Sequence, residues 1–285
     1  MAIEQLKTDY LVVGAGAMGM AFVDEMLTRT KKTRFILVDK YAQPGGHWNT
    51  AYSFVRLHQP SAFYGVNSLP LEKYGSEFAS QSEILFYYQR VLEKFIATGR
   101  VTFLPQCEYT GDGHIHSRIA PDTQYQVTVN KRLVDATYMK VEVPSTRPPR
   151  YEVAEGATLV PINALSSLSK PYTGYVIIGA GKTGIDAVLY LLNRGVDPSN
   201  IRWVINRDVW YYNRARFSAD QMLDLQINTF RAIIDGTTPD DVFQRSESTG
   251  DLLRLDSNIQ PEVFRCATIP ESERDQVRQI GEMIR

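Results

Sequence analysis

The chain has 285 residues, 44% of them hydrophobic and 22% charged, and carries a formal net charge of −1. This is the composition of a globular protein with one large or two modest cores, and it offers no bulk attraction to nucleic acid or to an anionic membrane. No apolar run approaches the roughly 20 residues that span a bilayer, and the opening seven residues lack the apolar stretch of a secretory signal, so a cytoplasmic location is expected. Cys107 and Cys266 lie far apart with no CxxC pair, which predicts free thiols rather than a redox disulfide or a zinc site, and no metal is expected.

Taken in chain order, Tyr10–Val13 predicts a strand that runs into Gly14-Ala15-Gly16-Ala17-Met18-Gly19. The helix after it carries Met20, Phe22, Val23, Met26 and Leu27 at helical spacing. A second strand ends at Asp39, and the irregular stretch 41–79, rich in Gly, Pro, Ser and aromatics, has the length of a functional loop. Residues 80–98 predict a helix with Ile84, Leu85, Tyr88, Val91, Leu92, Phe95 and Ile96 on one face, stopped by Gly99. A strand at 101–104 leads into a small meander with turns at Gly111-Asp112-Gly113 and Asn130-Lys131, after which 132–137 returns toward the sheet.

Prolines 144, 148, 149, 161 and 171 mark a connector. The strand Tyr175–Ile178 then meets a second turn, Gly179-Ala180-Gly181-Lys182-Thr183-Gly184, followed by a helix to Asn193 and a strand over 201–205. Beyond Trp210 the pattern reads as helices and loops: Ser218 with Gln221 forms a capping box ahead of a helix at about 219–234, and a last helix at about 271–285 carries Val277, Ile280, Met283 and Ile284. The expected fold is α/β, with two Rossmann-like dinucleotide-binding units and a small antiparallel β-meander. The expected division is 1–150, a connector 151–172, a second unit 173–235 and a helical segment 236–285.

The chemistry of a GxGxxG turn between strand and helix is specific. The first glycine makes the tight turn and the second admits a pyrophosphate against bare backbone. The third lets the helix pack closely, so that its N-terminus faces the phosphates. Asp39 stands 20 residues past Gly19, where an acidic side chain holds a ribose diol. After the second unit's second strand stand Asn206 and Arg207 instead, and Arg207 suits a 2′-phosphate, favouring NADP over NAD. Lys182 and Thr183 would meet the pyrophosphate with a charge and a hydroxyl. Arg202, Arg207, Arg214 and Arg216 interleave with aromatics as in nucleic-acid stacking, but the net charge of −1 argues against that and a nucleotide cofactor explains both charges and aromatics, so no nucleic-acid partner is expected.

Gly45-Gly46-His47-Trp48 follows soon after Asp39, and this GG-x-W resembles the flavoprotein monooxygenases, the flavin-containing and Baeyer–Villiger group. Tyr52–Pro60 resembles that group's segment placing an Asn beside the flavin, with His58 at the Asn position, and Ala136-Thr137 with Pro144 resembles its ATG element, Tyr138 replacing the Gly. The resemblance implies FAD on the first turn, with Gly14, Gly16, Ala17, Met18, Gly19, Asp39, Lys40, Gly46, His47, Trp48 and Leu57 around it. It implies NADPH on the second, with Gly179, Gly181, Lys182, Thr183, Gly184 and Arg207, and His58 as the candidate catalytic group. The implied reaction is hydride transfer from NADPH to FAD, then O2 activation as a flavin C4a-(hydro)peroxide acting on a small organic substrate.

The chain departs from the group in places. Asn163-Ala164-Leu165-Ser166 stands where the Baeyer–Villiger His and Trp would be, and the resemblance fades after about residue 212, so that the chain reads as a family member cut short at its C-terminus. Two further readings stay open. One is an NADP-dependent dehydrogenase using only the first turn, opposed by Asp39 and by GG-x-W. The other is a non-catalytic or truncated nucleotide-binding protein, which the sequence does not separate from the oxidoreductase.

Overall fold

The computed structural model describes residues 3–139, 147–149 and 151–285; Pro144 lies outside the described residues. The chain divides into two compact units, Met1–Arg56 with Ser61–Thr158, and Leu57–Pro60 with Leu159–Arg285. The division differs from the expected one: the boundary falls at 158/159, and the four residues 57–60 belong with the second unit.

In the first unit, β1 (Glu4–Val13) leads into α1 (Ala17–Arg29) and β2 (Phe35–Asp39). All five β2 residues are buried, as a central parallel strand covered on both faces requires. The 41–79 stretch holds a 3₁₀ turn at Gly46–Thr50 and the hairpin β3 (Gly65–Val66) and β4 (Leu69–Pro70). Helix α2 (Gln81–Ala97) follows, then β5 (Val101–Pro105), β6 (Cys107–Gly111), β7 (His114–Ser117) and β8 (Gln124–Asp135). These build one sheet in the order β5-β2-β1-β8-β7-β6; β5, β2, β1 and β8 are parallel, and β7 and β6 run antiparallel at the edge. Leu11, Ile36, Val38, Leu104, Ile115 and Val127 form a core cluster along it.

Two local readings change. Asn130-Lys131 is no turn: β8 runs through it beside β1, and the two residues form a bulge where the register shifts between Thr8 and Tyr10. On α2, Tyr87 is buried and Ile96 is 47% exposed, so the buried stripe passes through 84, 87, 88, 91, 92 and 95. The helix starts on a reciprocal capping box between Ser80 and Glu83.

In the second unit, a single turn α3 (Ile162–Leu165) precedes β9 (Tyr175–Ile178), α4 (Lys182–Asn193) and β10 (Ile201–Val204). Then come β11 (Val209–Asn213), α5 (Met222–Asp235), α6 (Pro239–Ser248), β12 (Leu252–Leu253), β13 (Val263–Ile269), α7 (Glu271–Val277) and β14 (Glu282–Ile284). The segment 236–285 therefore mixes helices with strands instead of being helical as expected, and the expected last helix ends at Val277. Met283 and Ile284 stand in β14, which closes a parallel sheet of order β14-β10-β9. A second small sheet has the order β12-β11-β13. The Ser218/Gln221 capping box is also absent: α5 begins at Met222, and the Ser218 hydroxyl donates back to the Ala215 carbonyl.

Both units carry the same arrangement. In each, the second strand lies between the first and the third, β1-β2-β5 in one and β9-β10-β14 in the other. In each, the glycine turn follows the first strand at the carboxyl edge of the sheet, where open α/β sheets bind ligands.

Candidate functional site

The first turn is held by backbone. Gly14 has φ 102°, and its N–H donates to the Val38 carbonyl at 2.8 Å. A Cβ on Gly19 would lie 1.9 Å from the Gly14 carbonyl oxygen, so only glycine lets α1 approach the turn. A Cβ on Gly14 would meet Thr137 Cγ2 at 2.9 Å, which puts Ala136-Thr137 against this turn as the resemblance suggests. Tyr138, in place of the family glycine, is 84% exposed.

Asp39 sits at the end of β2 with its carboxylate turned onto the turn itself. Oδ2 accepts from the Ala15 N–H at 2.6 Å and Oδ1 from the Tyr41 N–H at 2.8 Å. Burial pushes its pKa up from the ordinary carboxylate value, against the pull of these two hydrogen bonds. Two carboxylate oxygens keep further lone pairs for a diol. Lys40 extends over the Tyr41 ring, 5.1 Å from its centroid.

The GG-x-W element closes over this turn. The Gly45 N–H donates to the Ala15 carbonyl at 2.8 Å, and a Cβ on Gly16 would lie 3.4 Å from Gly46 Cα. Gly16 thus faces the Gly46 backbone, and not open space as the motif alone suggests. Gln81 on α2 donates to the carbonyls of Trp48 at 2.9 Å and Ala51 at 2.8 Å, fixing the element's far end. His47 is exposed, with its ring 5.3 Å from that of Trp48, and partial desolvation lowers its pKa. Ala17 and Met18 are exposed at the start of α1.

The second turn is more open. Gly179 has φ 112° and donates to the Val204 carbonyl at 2.9 Å, while a Cβ on Gly184 would lie 2.2 Å from the Gly179 carbonyl oxygen. A Cβ on Gly179 or Gly181 would meet nothing within 4 Å. Two buried aromatics hold the turn's carbonyls: Trp203 Nε1 donates to Gly179 at 2.8 Å and the Tyr211 hydroxyl to Ala180 at 2.5 Å. Burial, and then the charge of Asp208, raises the Tyr211 pKa well above the ordinary phenol value. Thr183 is exposed at the helix start. Neither α1 nor α4 has a side-chain cap or an acidic residue in its first turn among the described residues, so both present backbone N–H groups and the positive end of the helix dipole.

Lys182 does not reach outward to a pyrophosphate. Its side chain is 8% exposed, and its ammonium pairs with Asp186 and, at 2.9 Å, with Glu273; Arg214 joins Glu273 at 3.1 Å and the Thr268 carbonyl at 3.1 Å. His58 lies beside this cluster. Its carbonyl accepts from the Thr268 hydroxyl at 3.2 Å. Burial first, then the cations of Lys182 and Arg214, hold its pKa low, with Asp186 and Glu273 opposing. Leu57, expected near the flavin, is buried within the same unit. Arg207 is exposed one residue before the buried Asp208.

The sequence reading missed the roles of Trp203, Tyr211 and Glu273. Asp186, four residues past Lys182 on a helix, was legible as an ion-pair partner; Glu273, 91 residues away, left no local signal.

No protein-family model matches the chain. Over 296 aligned residues it is 44% identical to the uncharacterised protein Rv2000 of Mycobacterium tuberculosis and to the uncharacterised protein Mb2023 of Mycobacterium bovis. The alignments cover 98% of this chain and 54% of each relative, so the chain spans about half the length of the curated relatives it matches. Among solved structures it resembles a flavin-containing monooxygenase from Stenotrophomonas maltophilia at 16% identity and TM-score 0.45, over 93% of this chain and 72% of that one. It also resembles a cyclohexanone monooxygenase in its open form at 18% identity and TM-score 0.47, over 81% of this chain and 46% of that one. A bacillithiol disulfide reductase from Staphylococcus aureus resembles it at 16% identity and TM-score 0.47, over 70% and 57% of the two chains. These are backbone similarities at low identity.

Proposed function

We propose that this chain is a flavin- and NADPH-dependent oxidoreductase of monooxygenase-like type, with FAD on the first glycine turn, NADPH on the second, and O2 and a small organic molecule as the other reactants. The observation that carries the reading is the repeated device: two strand–GxGxxG–helix turns, each at the carboxyl edge of a parallel sheet and each opening an uncapped helix.

The residues present fit such groups. At the second turn, the space a Cβ would fill at Gly179 and Gly181 is open, and Thr183 and Arg207 are exposed. Bare backbone N–H groups there bind phosphate oxygens, and Arg207 supplies a fixed cation for a 2′-phosphate. At the first turn, Ala17 and Met18 flank the helix start, Asp39 holds the turn and keeps acceptor capacity for a diol, and the Gly46–Trp48 element borders it. When bound, NADPH would supply a hydride and FAD would pass electrons to O2. The protein's own work is to bind, orient and desolvate.

Gly16→Val tests the first assignment. A branched side chain would press on Gly46 and enter the phosphate's place, so FAD added to the variant should stay fluorescent and free, while the parent chain quenches it. Equal quenching by both would remove FAD from this turn.

A further inference from the structure

We infer that Arg285 gives the second turn its preference for a 2′-phosphorylated nucleotide, by neutralising Asp208 beside Arg207; this rests on the reading that the second turn takes a nicotinamide dinucleotide. In a strand–turn–helix unit, a carboxylate after the second strand selects the unphosphorylated ribose diol and repels a 2′-phosphate. Here the chain leaving β10 reads Ile205-Asn206-Arg207-Asp208, so the cation suited to a 2′-phosphate is followed at once by a carboxylate suited to exclude it.

The structure resolves the conflict within the second unit. Asp208 is 8% exposed, and its two oxygens accept from Arg285, Nε to Oδ2 at 2.9 Å and Nη2 to Oδ1 at 3.3 Å. This two-point pairing spends the fork of the guanidinium on the carboxylate. The delivery is topological. β14 pairs in parallel with β10, Val204 opposite Ile284, and the Ile205 N–H donates to the Ile284 carbonyl at 2.7 Å. Arg285 therefore leaves β14 at the same sheet edge at which Arg207 leaves β10. Asp256 lies 3.6 Å from Arg285, so this one guanidinium serves both carboxylates at the edge.

The test is calorimetric titration of the purified chain with 2′,5′-ADP and with 5′-AMP, two probes that differ by the 2′-phosphate alone. The parent chain should prefer 2′,5′-ADP. Arg285→Gln should cut that preference by about tenfold, the equivalent of about 1.4 kcal/mol, and adding Asp208→Asn to it should restore most of the loss. Arg285→Lys, which keeps the charge, should retain most of the preference and serves if the Gln variant does not fold. An unchanged preference in Arg285→Gln, or no recovery in the double variant, would overturn the inference while leaving the nucleotide site standing. A parent chain that binds neither probe would instead sink the site assignment and the inference with it.

Discussion

Gly16 and Gly46 meet backbone to backbone: a Cβ on Gly46 would stand 2.9 Å from Gly16 Cα, at a residue whose φ is 55°. The first turn and the GG-x-W element thus form one structure, and the two motifs are legible separately only because their glycines serve a shared contact. Gly46→Ala should cost about 1–3 kcal/mol through strain and overpacking against a main chain that has no soft side chain to yield. Urea denaturation would read this. Gly181→Ala is the contrasting case, since its Cβ meets nothing and its backbone is ordinary. It should stay within about 0.5 kcal/mol of the parent and still weaken nucleotide binding.

Lys182 is tied into the second unit by Asp186 and Glu273. Lys182→Met leaves Asp186 without its ammonium partner and Glu273 with Arg214 alone. Breaking a fully buried pair costs about 3–5 kcal/mol, and the partial exposure of the two carboxylates brings the expected cost to about 2 kcal/mol. The thermal midpoint should fall while the ratio of NADPH to NADH affinity stays put. A changed ratio with an unchanged midpoint would return Lys182 to the nucleotide.

Arg207→Ala should show the opposite pattern. The side chain is exposed, so stability should move by less than about 0.5 kcal/mol. NADPH binding should weaken far more than NADH binding; equal effects would mean that Arg207 does not read the 2′-phosphate.

His58 makes the fold sensitive to acid. Its folded pKa lies below the ordinary 6.5 because burial and the Lys182 and Arg214 cations disfavour the imidazolium. The unfolded chain then binds a proton that the folded one refuses, so this contribution is intact above about pH 6.5 and is lost as pH falls below it. His58→Gln should flatten the stability profile between about pH 7 and pH 5. A profile as steep as the parent's would assign the acid sensitivity elsewhere.

Ser80 and Glu83 cap α2 reciprocally, and backbone and hydroxyl hydrogen bonds from Ser80 pull the Glu83 carboxyl down to about 2. Ser80→Ala should cost about 1 kcal/mol. Because the folded pKa is depressed, Glu83's contribution is present above about pH 4.5 and lost as pH falls toward about 2. Glu83→Gln should remove that dependence.

The strands, helices and turns with local signals were legible from residue order alone: both glycine turns, the extent of α2, the Gly111–Gly113 reversal. What escaped was set by distant partners. Met283 and Ile284 share the apolar character of a helix face, and only the open edge of β10 makes them a strand. Asn130-Lys131 resembles a turn until β1 supplies a ladder on which it becomes a bulge. Lys182 in a glycine turn reads as a phosphate ligand because Glu273, which claims it, comes from another helix. His58 was placed by its neighbours in sequence, whereas the fold carries residues 57–60 to the second unit.

Electron exchange between two nucleotide cofactors in one chain would be read in the visible spectrum of the purified protein with added FAD, recorded before and after anaerobic NADPH. Bound oxidised flavin should appear, and its absorbance should bleach on adding NADPH. A chain that binds no flavin, or binds it and leaves it oxidised under NADPH, would contradict it.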